Sequence, residues 1–118
     1  MNIKLYLDNI VDTTGPEEIE IRQDTSDKIE LTISYNISRE ELFISHFYVH
    51  KNYRRNNYGT KMYKKLYNYA VNNEHINHFR FHIKKTPEST KWIQNMNEEY
   101  IETKVGSVGT VFEINYRV

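Results

Sequence analysis

Two adjacent arginines and a glycine lie close together in residues 49–60, which read VHKNYRRNNYGT. Arg54 and Arg55 supply positive charge, and Gly59 lets the backbone approach a ligand without a Cβ atom in the way. Asn57 is one of the few non-glycine residues that tolerate a left-handed backbone. If a helix begins inside this segment, its free N–H groups and the positive end of its dipole point at one place. The segment therefore predicts a site for a phosphate or pyrophosphate group.

The elements on both sides of this segment are those that such a site needs. Residues 41–50 alternate less cleanly than the other predicted strands and are more continuously apolar, which predicts a central strand covered on both faces. Residues 57–73 change to the helical period, which predicts a helix directly after the arginines. Its predicted buried face follows Tyr58, Met62, Leu66, Tyr69 and Asn73, and is widened by Tyr63, Tyr67 and Ala70.

Alternating apolar residues and turn-forming residues predict the rest of the fold. We predict further strands at residues 3–7, 18–23, 28–36, 78–84, 100–104 and 110–117. Residues 24–27 and 105–109 are expected to be turns, and Pro87 opens a short helix over residues 88–96. The strand, helix, strand order in the middle requires a right-handed parallel crossover, whereas hairpins require antiparallel pairing. We therefore predict an α+β (or α/β) fold with a mixed, mostly antiparallel sheet and two helices.

Length and composition narrow the class of protein. A chain of 118 residues is long enough for one core, so we expect a single domain over residues 1–118. The 16 basic and 16 acidic side chains cancel, so no overall charge attracts the protein to nucleic acid or to an anionic membrane. The chain has no cysteine, which excludes disulfides and cysteine nucleophiles. Because no signal peptide or membrane-spanning stretch is visible, we expect a cytoplasmic protein.

Residues 49–60 also resemble the acetyl-CoA motif of the GNAT acetyltransferases. That motif runs from a valine through an aromatic residue and an arginine to Arg/Gln-x-x-Gly-x-Gly/Ala at the start of a helix. The residues in register are Val49, Tyr53, Arg54, Arg55, Asn56, Asn57, Tyr58, Gly59 and Thr60, followed by the apolar Met62 and Leu66. Asn57 stands where the family prefers glycine. The order of the predicted strands and helices resembles that of the family through nearly the whole chain.

The resemblance implies an N-acetyltransferase that uses acetyl-CoA as its co-substrate and needs no metal. Its acceptor would be a primary amine, either of a small molecule or of a protein lysine or N-terminus. Backbone groups of Phe47, Tyr48 and Val49 would bind the pantetheine arm at a splay in the sheet. The pyrophosphate would lie against Arg54, Arg55, Asn56, Asn57, Tyr58, Gly59 and Thr60. Only residues 8–17 stand where the family places two helices, so we expect a minimal member with an open substrate side.

The catalytic groups are less well marked than the cofactor site. Family members often take their base from the central strand, and Phe43 and Ser45 occupy the matching positions here. His46 lies beside them and is our candidate base, together with Ser45, although a structural role for His46 on the opposite face is the favoured alternative. Glu41 is a second choice at the edge of the strand.

The family's usual acid is a tyrosine in the second helix, which protonates the leaving thiolate. Ile93 or Gln94 falls at that place here, and Tyr100 is the nearest tyrosine that could serve instead. Trp92, in the same helix, is expected to anchor the core.

Two other functions remain as alternatives. Residues 51–65 and 78–85 interleave basic and aromatic side chains in the manner of single-strand nucleic-acid binders. We favour the enzyme, because Tyr63 and Tyr67 have helical spacing and are expected to pack. The other alternative is a GNAT-like interaction protein without catalysis. His75, His78 and His82 could suggest metal ligands, but no carboxylate cluster completes such a site, and we predict no metal.

Overall fold

The computed structural model describes residues 18–26, by their backbone alone, and residues 29–36, 39–51, 54, 57–97 and 104–117. Its elements are β1 (Glu18–Ser26), β2 (Ile29–Asn36), β3 (Glu41–Val49), α1 (Tyr58–Val71), β4 (His78–Lys84), α2 (Pro87–Asn97), β5 (Lys104–Val108) and β6 (Val111–Arg117). The strand predicted at residues 3–7 and the segment 8–17 lie outside the described residues.

The six strands form one sheet in the order β1-β2-β3-β4-β6-β5. All neighbouring strands are antiparallel except β3 and β4, which are parallel and are joined by α1. A parallel pair cannot be closed by a tight turn, so the helix supplies the length that the crossover needs. The predicted α+β class, with its mixed and mostly antiparallel sheet and its central crossover, is confirmed.

Both helices pack on the same face of the sheet. The side chains that α1 buries have the spacing i, i+3, i+4 and i+7; they are Tyr63, Leu66, Tyr67 and Ala70. Strand β4 presents Phe79 and Phe81 to them, and Ile93 and Met96 of α2 join the same core. No helix of the described part of the chain is both long and apolar enough to cross a bilayer.

The opposite face of the sheet, called the second face below, is polar where β3, β4 and β6 meet. Successive side chains of a strand point to opposite faces, so the alternation in β4 (HFRFHIK) separates aromatic from ionisable residues. The polar side chains brought together on this face are Glu41, His78, Arg80, His82, Glu113 and Asn115. The fold therefore has an apolar helical side and a charged side.

The buried face of α1 differs from the one we predicted. Tyr58, Met62 and Tyr69 lie at the margins of the core, and Asn73 lies beyond the last helical residue. Tyrosine rings suit either a core or its margin, so a helix with tyrosines on several sides has no unambiguous apolar row. The small Ala70, fully buried among larger neighbours, marks where the helix comes closest to the sheet.

The predicted turn at residues 105–109 is wrong. Residues Lys104 to Val108 form β5 and pair with β6 as far as Val108 opposite Val111, so the turn consists of Gly109 and Thr110 alone. Gly109 has φ +59°, a conformation that a tight hairpin turn requires and that glycine adopts without strain. The strand predicted at residues 100–104 is present only at Lys104, and residues 100–103 lie outside the described part.

The hairpin between β1 and β2 is also tighter than predicted. Asp24 pairs with Glu30, and Ser26 pairs with Ile29, so β1 continues through most of the predicted turn at residues 24–27. A register shift between Asp24 and Ser26 accommodates one extra residue. Polar residues in this segment indicated a loop, but a bulge at the sheet edge takes the same residue types.

Candidate functional site

The parallel strands β3 and β4 separate part of the way along their length. They pair over four residues, from Glu41 opposite His78 to Ile44 opposite Phe81. Beyond these pairs, β3 continues to Val49 and β4 continues to Lys84 without pairing to each other. The sheet is therefore open at the carboxyl ends of its two central strands, which is where ligands commonly enter sheets of this kind.

A bulge in β3 lies at the point where the strands separate. His46 is opposite Thr32 of β2, but Ile44 is opposite the next residue, Ile33, so Ser45 is an extra residue in β3. A bulge bends its strand and increases the local twist. The bend directs the end of β3 away from β4 and helps to open the sheet.

A pocket of about 390 Å³ occupies this opening on the helical side. Its walls are formed by the ends of β3 and β4 and by the beginnings of both helices. The lining residues are Phe47, Tyr48, Val49, Arg54, Asn57, Gly59, Thr60, Ile83, Lys84, Thr86, Glu88, Ser89 and Trp92. Residues 47–60 contain the end of β3 and the beginning of α1, and residues 83–92 contain the end of β4 and the beginning of α2.

The helix α1 begins at the pocket without a side-chain cap. Its N-cap residue, Asn57, has φ 58° and ψ 21° and makes no capping hydrogen bond through its side chain. The first-turn N–H groups of a helix have no intrahelical acceptor, and the helix dipole makes this end positive. Arg54 lies nearby, with its Nε donating to the carbonyl of Val49 at 3.1 Å and its guanidinium 5.3 Å from the centre of the Tyr48 ring. This end of the pocket suits an anion.

The helix α2 begins at the same pocket but has side-chain caps. The N–H of Thr86 donates to Ser89 Oγ at 2.8 Å, and the N–H of Ser89 donates to Thr86 Oγ1 at 3.0 Å, which is a reciprocal capping box. The Ser89 hydroxyl also donates to the carbonyl of Lys84 at 2.7 Å. Of the two helix N-termini at the pocket, α1 is thus the one without a side-chain cap.

A hydrogen bond joins the two helices across the pocket. Trp92 Nε1 donates to Thr60 Oγ1 at 2.9 Å, and the indole stacks at 6.1 Å and 12° on the ring of Phe47. Trp92 packs against the core as the sequence predicts, but it is only half-buried and also lines the pocket. Its indole N–H was the sequence signal for this second role, because a buried or half-buried indole normally donates to a partner.

The second face carries a connected set of ion pairs and hydrogen bonds. The Glu41 carboxylate is 6% exposed; it contacts His78 Nδ1 at 2.7 Å and Arg80 Nη2 at 2.8 Å. Glu113 contacts His82 Nε2 at 2.6 Å and Arg80 Nη1 at 3.8 Å. Four of these residues, Glu41, His78, Arg80 and Glu113, line a second cavity of about 590 Å³. Among the described residues, no group of three or more His, Asp and Glu side chains is arranged to hold a metal ion.

The family model described as "Acetyltransferase (GNAT) family" matches residues 25–91 of this sequence, which is more than half of the chain. The chain belongs to the GNAT acetyltransferases. Acetyl transfer is therefore its general activity, and GNAT acetyltransferases generally use acetyl-CoA. No curated protein matches it in sequence.

Several solved structures of acetyltransferases share the fold at low sequence identity. An acetyltransferase from Thermus thermophilus has a TM-score of 0.58 and 9% identity over 89% of this chain and 67% of its own. A mutant of the spermidine N-acetyltransferase from Vibrio cholerae has a TM-score of 0.53 and 10% identity, over 97% and 72%. A ribosomal-protein alanine N-acetyltransferase from Escherichia coli has a TM-score of 0.51 and 8% identity, over 100% and 77%.

The structure brings most of the predicted cofactor-binding residues of this GNAT protein to one pocket. Those on its walls are Phe47, Tyr48, Val49, Arg54, Asn57, Gly59 and Thr60. Tyr58, in the first turn of α1, is half-buried and is not on the wall. Arg55 and Asn56 lie outside the described residues. The half of the pocket contributed by residues 83–92 was not predicted as cofactor-binding.

The predicted catalytic residues of this GNAT protein are not gathered at the pocket. His46 is exposed, Ser45 is half-buried in the bulge, and neither lines the pocket. Glu41 belongs to the ion pairs of the second face, and Tyr100 lies outside the described residues. The ionisable side chains among the described residues on the pocket wall are Tyr48, Arg54, Lys84 and Glu88.

Gly59 lies close to two side chains of β3. A Cβ atom at this position would lie 3.1 Å from Val49 Cγ2 and 3.6 Å from Phe47 Cε1. Glycine therefore lets the first turn of α1 lie close against β3. A larger residue would displace two side chains that line the pocket.

We expect Gly59→Val to lower the free energy of unfolding by about 1–3 kcal/mol, as overpacked sites do. The Kd for acetyl-CoA should rise by roughly tenfold or more, because a loss of about 1.4 kcal/mol of binding free energy raises the Kd tenfold. Denaturant unfolding and calorimetric titration measure the two effects. Gly106→Val is the control, because a Cβ there meets nothing within 4 Å and should change stability by less than about 0.5 kcal/mol. Unchanged acetyl-CoA binding in Gly59→Val would contradict the prediction that acetyl-CoA binds in the pocket beside Gly59.

Proposed function

We propose that this protein is an acetyl-CoA-dependent N-acetyltransferase that moves an acetyl group to a primary amine. The observation that carries the proposal is the uncapped beginning of α1, which faces the pocket at the opening of the sheet. Cofactor pyrophosphate is an anion of the size and charge that such a helix end binds. At the beginning of α2, the side chains of the capping box already accept backbone N–H groups, so this end is less suited to bind the pyrophosphate.

Each part of the pocket has a role in this function. The first turn of α1 and Arg54 hold the pyrophosphate, and Asn57 supplies the left-handed turn that a glycine supplies in most of the family. The unpaired edge of β3 from Phe47 to Val49 holds the pantetheine arm by backbone hydrogen bonds. Backbone N–H groups at the same edge polarise the thioester carbonyl, as fixed donors do in acyl transfer.

The acceptor amine approaches from the second face, because the helices and the cofactor occupy the other side of the sheet. Two of the proteins with a similar fold are named as acetyltransferases of spermidine and of an alanine of a ribosomal protein. Both names describe primary amine acceptors, which agrees with the class proposed here.

A protein that binds single-stranded nucleic acid by stacking needs aromatic rings that the bases can reach. Tyr63 and Tyr67 are buried, so the structure favours the enzyme.

Acetyl-CoA is expected to raise the melting temperature of the protein. A ligand that binds only the folded state at 100 times its Kd stabilises it by about 2.7 kcal/mol, which is on the order of 10 °C for a domain of this size. Differential scanning fluorimetry with acetyl-CoA measures the shift, and adenosine without the pyrophosphate and pantetheine is the control ligand. An unchanged melting temperature at millimolar acetyl-CoA would exclude the cofactor. A shift without any release of free thiol in the presence of amines would indicate a binding protein without catalysis.

A further inference from the structure

His82 lies at the opening of the sheet but points away from the pocket. It directly follows Phe81, the last residue of β4 that pairs with β3, and it precedes Ile83, which lines the pocket. Its side chain lies on the second face, where it contacts the Phe43 ring edge-on at 4.7 Å. This is the face from which the proposed function brings the acceptor, so the imidazole lies on the acceptor side of the opening.

The imidazole of His82 is held in one orientation. Its Nε2 lies 2.6 Å from Glu113 Oε2, and the other oxygen of that carboxylate accepts a hydrogen bond from Asn115 Nδ2 at 2.9 Å. The side chain is 16% exposed. In the described part of the chain, no hydrogen bond to its Nδ1 is present. One nitrogen is thus engaged and the other is open.

The charge on Glu113 decides which nitrogen carries the proton. Hydrogen bonds from Asn115 and then from His82 lower the pKa of the Glu113 carboxyl below its ordinary value of 4.5, and the nearby Arg80 acts in the same direction. A carboxylate can only accept, so Nε2 of a neutral imidazole must donate to it. The lone pair is then on Nδ1. This tautomer follows from the hydrogen-bond network.

The other charged groups around His82 do not compete for Nδ1. Arg80, two residues earlier on the same face, is bound to Glu41 of β3 and lies near Glu113 of β6. Lys84, two residues later, is exposed, and among the described residues it makes no hydrogen bond to His82. Strand β5 places the uncharged Gly106 opposite Glu113. An imidazole that donates one N–H to a carboxylate and has no hydrogen bond at its second nitrogen is arranged as a general base.

We propose that His82, positioned by Glu113, takes the proton from the acceptor amine in this reaction. The inference rests on the proposed function. The acceptor enters as an ammonium ion, and Nδ1 removes one proton to give an imidazolium that the Glu113 carboxylate stabilises. The neutral nitrogen forms its bond to the thioester carbonyl carbon, and the carbon–sulfur bond breaks. The nitrogen's second proton goes to the leaving thiolate, and the imidazolium releases its own to solvent.

The test compares two small acceptors that differ in basicity. Ethylamine is protonated at pH 7 and needs a base, whereas 2,2,2-trifluoroethylamine is already largely neutral. His82→Gln keeps a donor to Glu113 but removes the base. We expect kcat/KM for ethylamine to fall by roughly 10²-fold or more, and that for trifluoroethylamine to fall by less than about tenfold. Glu113→Gln should show the same selectivity with a smaller loss. His75→Gln, exposed and distant, is the matched control.

Each outcome has a definite meaning. Retention of the acetyl-CoA melting shift in His82→Gln shows that fold and cofactor binding are intact. Equal losses for the two amines, or a selective loss in His46→Gln instead, would overturn the proposal. If the wild type binds acetyl-CoA but acetylates neither amine, the proposed transfer to free amines fails. Nitrogen-15 NMR then tests His82 separately, by showing which nitrogen of its imidazole carries the proton. The proposal requires Nε2 to carry the proton at neutral pH, and a protonated Nδ1 there would refute it.

Discussion

Phe81→Ala is expected to lower the free energy of unfolding by about 3–5 kcal/mol, the usual cost of removing a fully buried aromatic ring. Phe81 is 0% exposed and lies between both helices. Its ring contacts Phe47 at 4.9 Å, Tyr63 at 5.0 Å and Trp92 at 6.0 Å. Because these neighbours belong to three different elements, no single side chain can move to fill the cavity. The loss is a large part of the stability of a domain of this size.

Urea unfolding followed by circular dichroism measures this loss. Phe112→Ala is the matched control, since Phe112 is only half-buried on β6 and should cost less than half as much. The melting shift with acetyl-CoA should also shrink in Phe81→Ala, because Phe47 and Trp92 line the pocket. A loss equal to that of Phe112→Ala would show that the aromatic cluster is not the centre of the core.

The second large effect concerns the ion pairs of the second face. Glu41→Leu is expected to destabilise the protein by about 3 kcal/mol, because Arg80 and His78 lose their nearest carboxylate and Arg80 keeps Glu113 at the longer distance of 3.8 Å. Arg80 would lose its contact at 2.8 Å, and its Nε is already buried without a hydrogen-bond partner. The guanidinium lies 3.8 Å from the centre of the Phe43 ring, so it cannot leave for solvent without breaking that contact.

The double variant Glu41→Leu with Arg80→Met distinguishes pairing from simple truncation. Replacing both members of a buried pair by apolar residues is often close to neutral, so at least half of the lost stability should return. Glu74→Gln, at an exposed ion pair of 3.8 Å, is the control and should change stability by less than about 0.5 kcal/mol. Additive losses in the double variant would mean that Glu41 and Arg80 are not coupled.

That the end of β3 and the beginning of α1 line one pocket was predictable from sequence because the signal is local. Arg54, Asn57 and Gly59 lie within six consecutive residues, and backbone demands at the start of a helix restrict which residues can stand there. The strand, helix, strand order around them was equally local, since the period of apolar residues changes abruptly at Asn57. Both predictions therefore needed no knowledge of distant contacts.

The contact between His82 and Glu113 was not predictable because it depends on strand register. Glu113 meets His82 only because β6 returns antiparallel beside β4, 31 residues further along the chain. A shift of one residue would place Glu113 on the helical face, and nothing in the sequence near His82 reports the pairing. His46 was the candidate base from sequence; it is exposed and lies opposite Thr32, directly after the bulge at Ser45. Local patterns do not reveal a bulge.

The opening between β3 and β4 links cofactor affinity to the mechanical state of the sheet. Beyond Ile44 and Phe81, the edges that face each other cannot satisfy each other's N–H and C=O groups. A pantetheine arm carries two amides, so in the opening it can act as a short additional strand. The hydrogen bonds that bind the arm would then also be the ones that make the middle of the sheet rigid. A change that closes the opening would stiffen the protein and weaken its hold on the cofactor together.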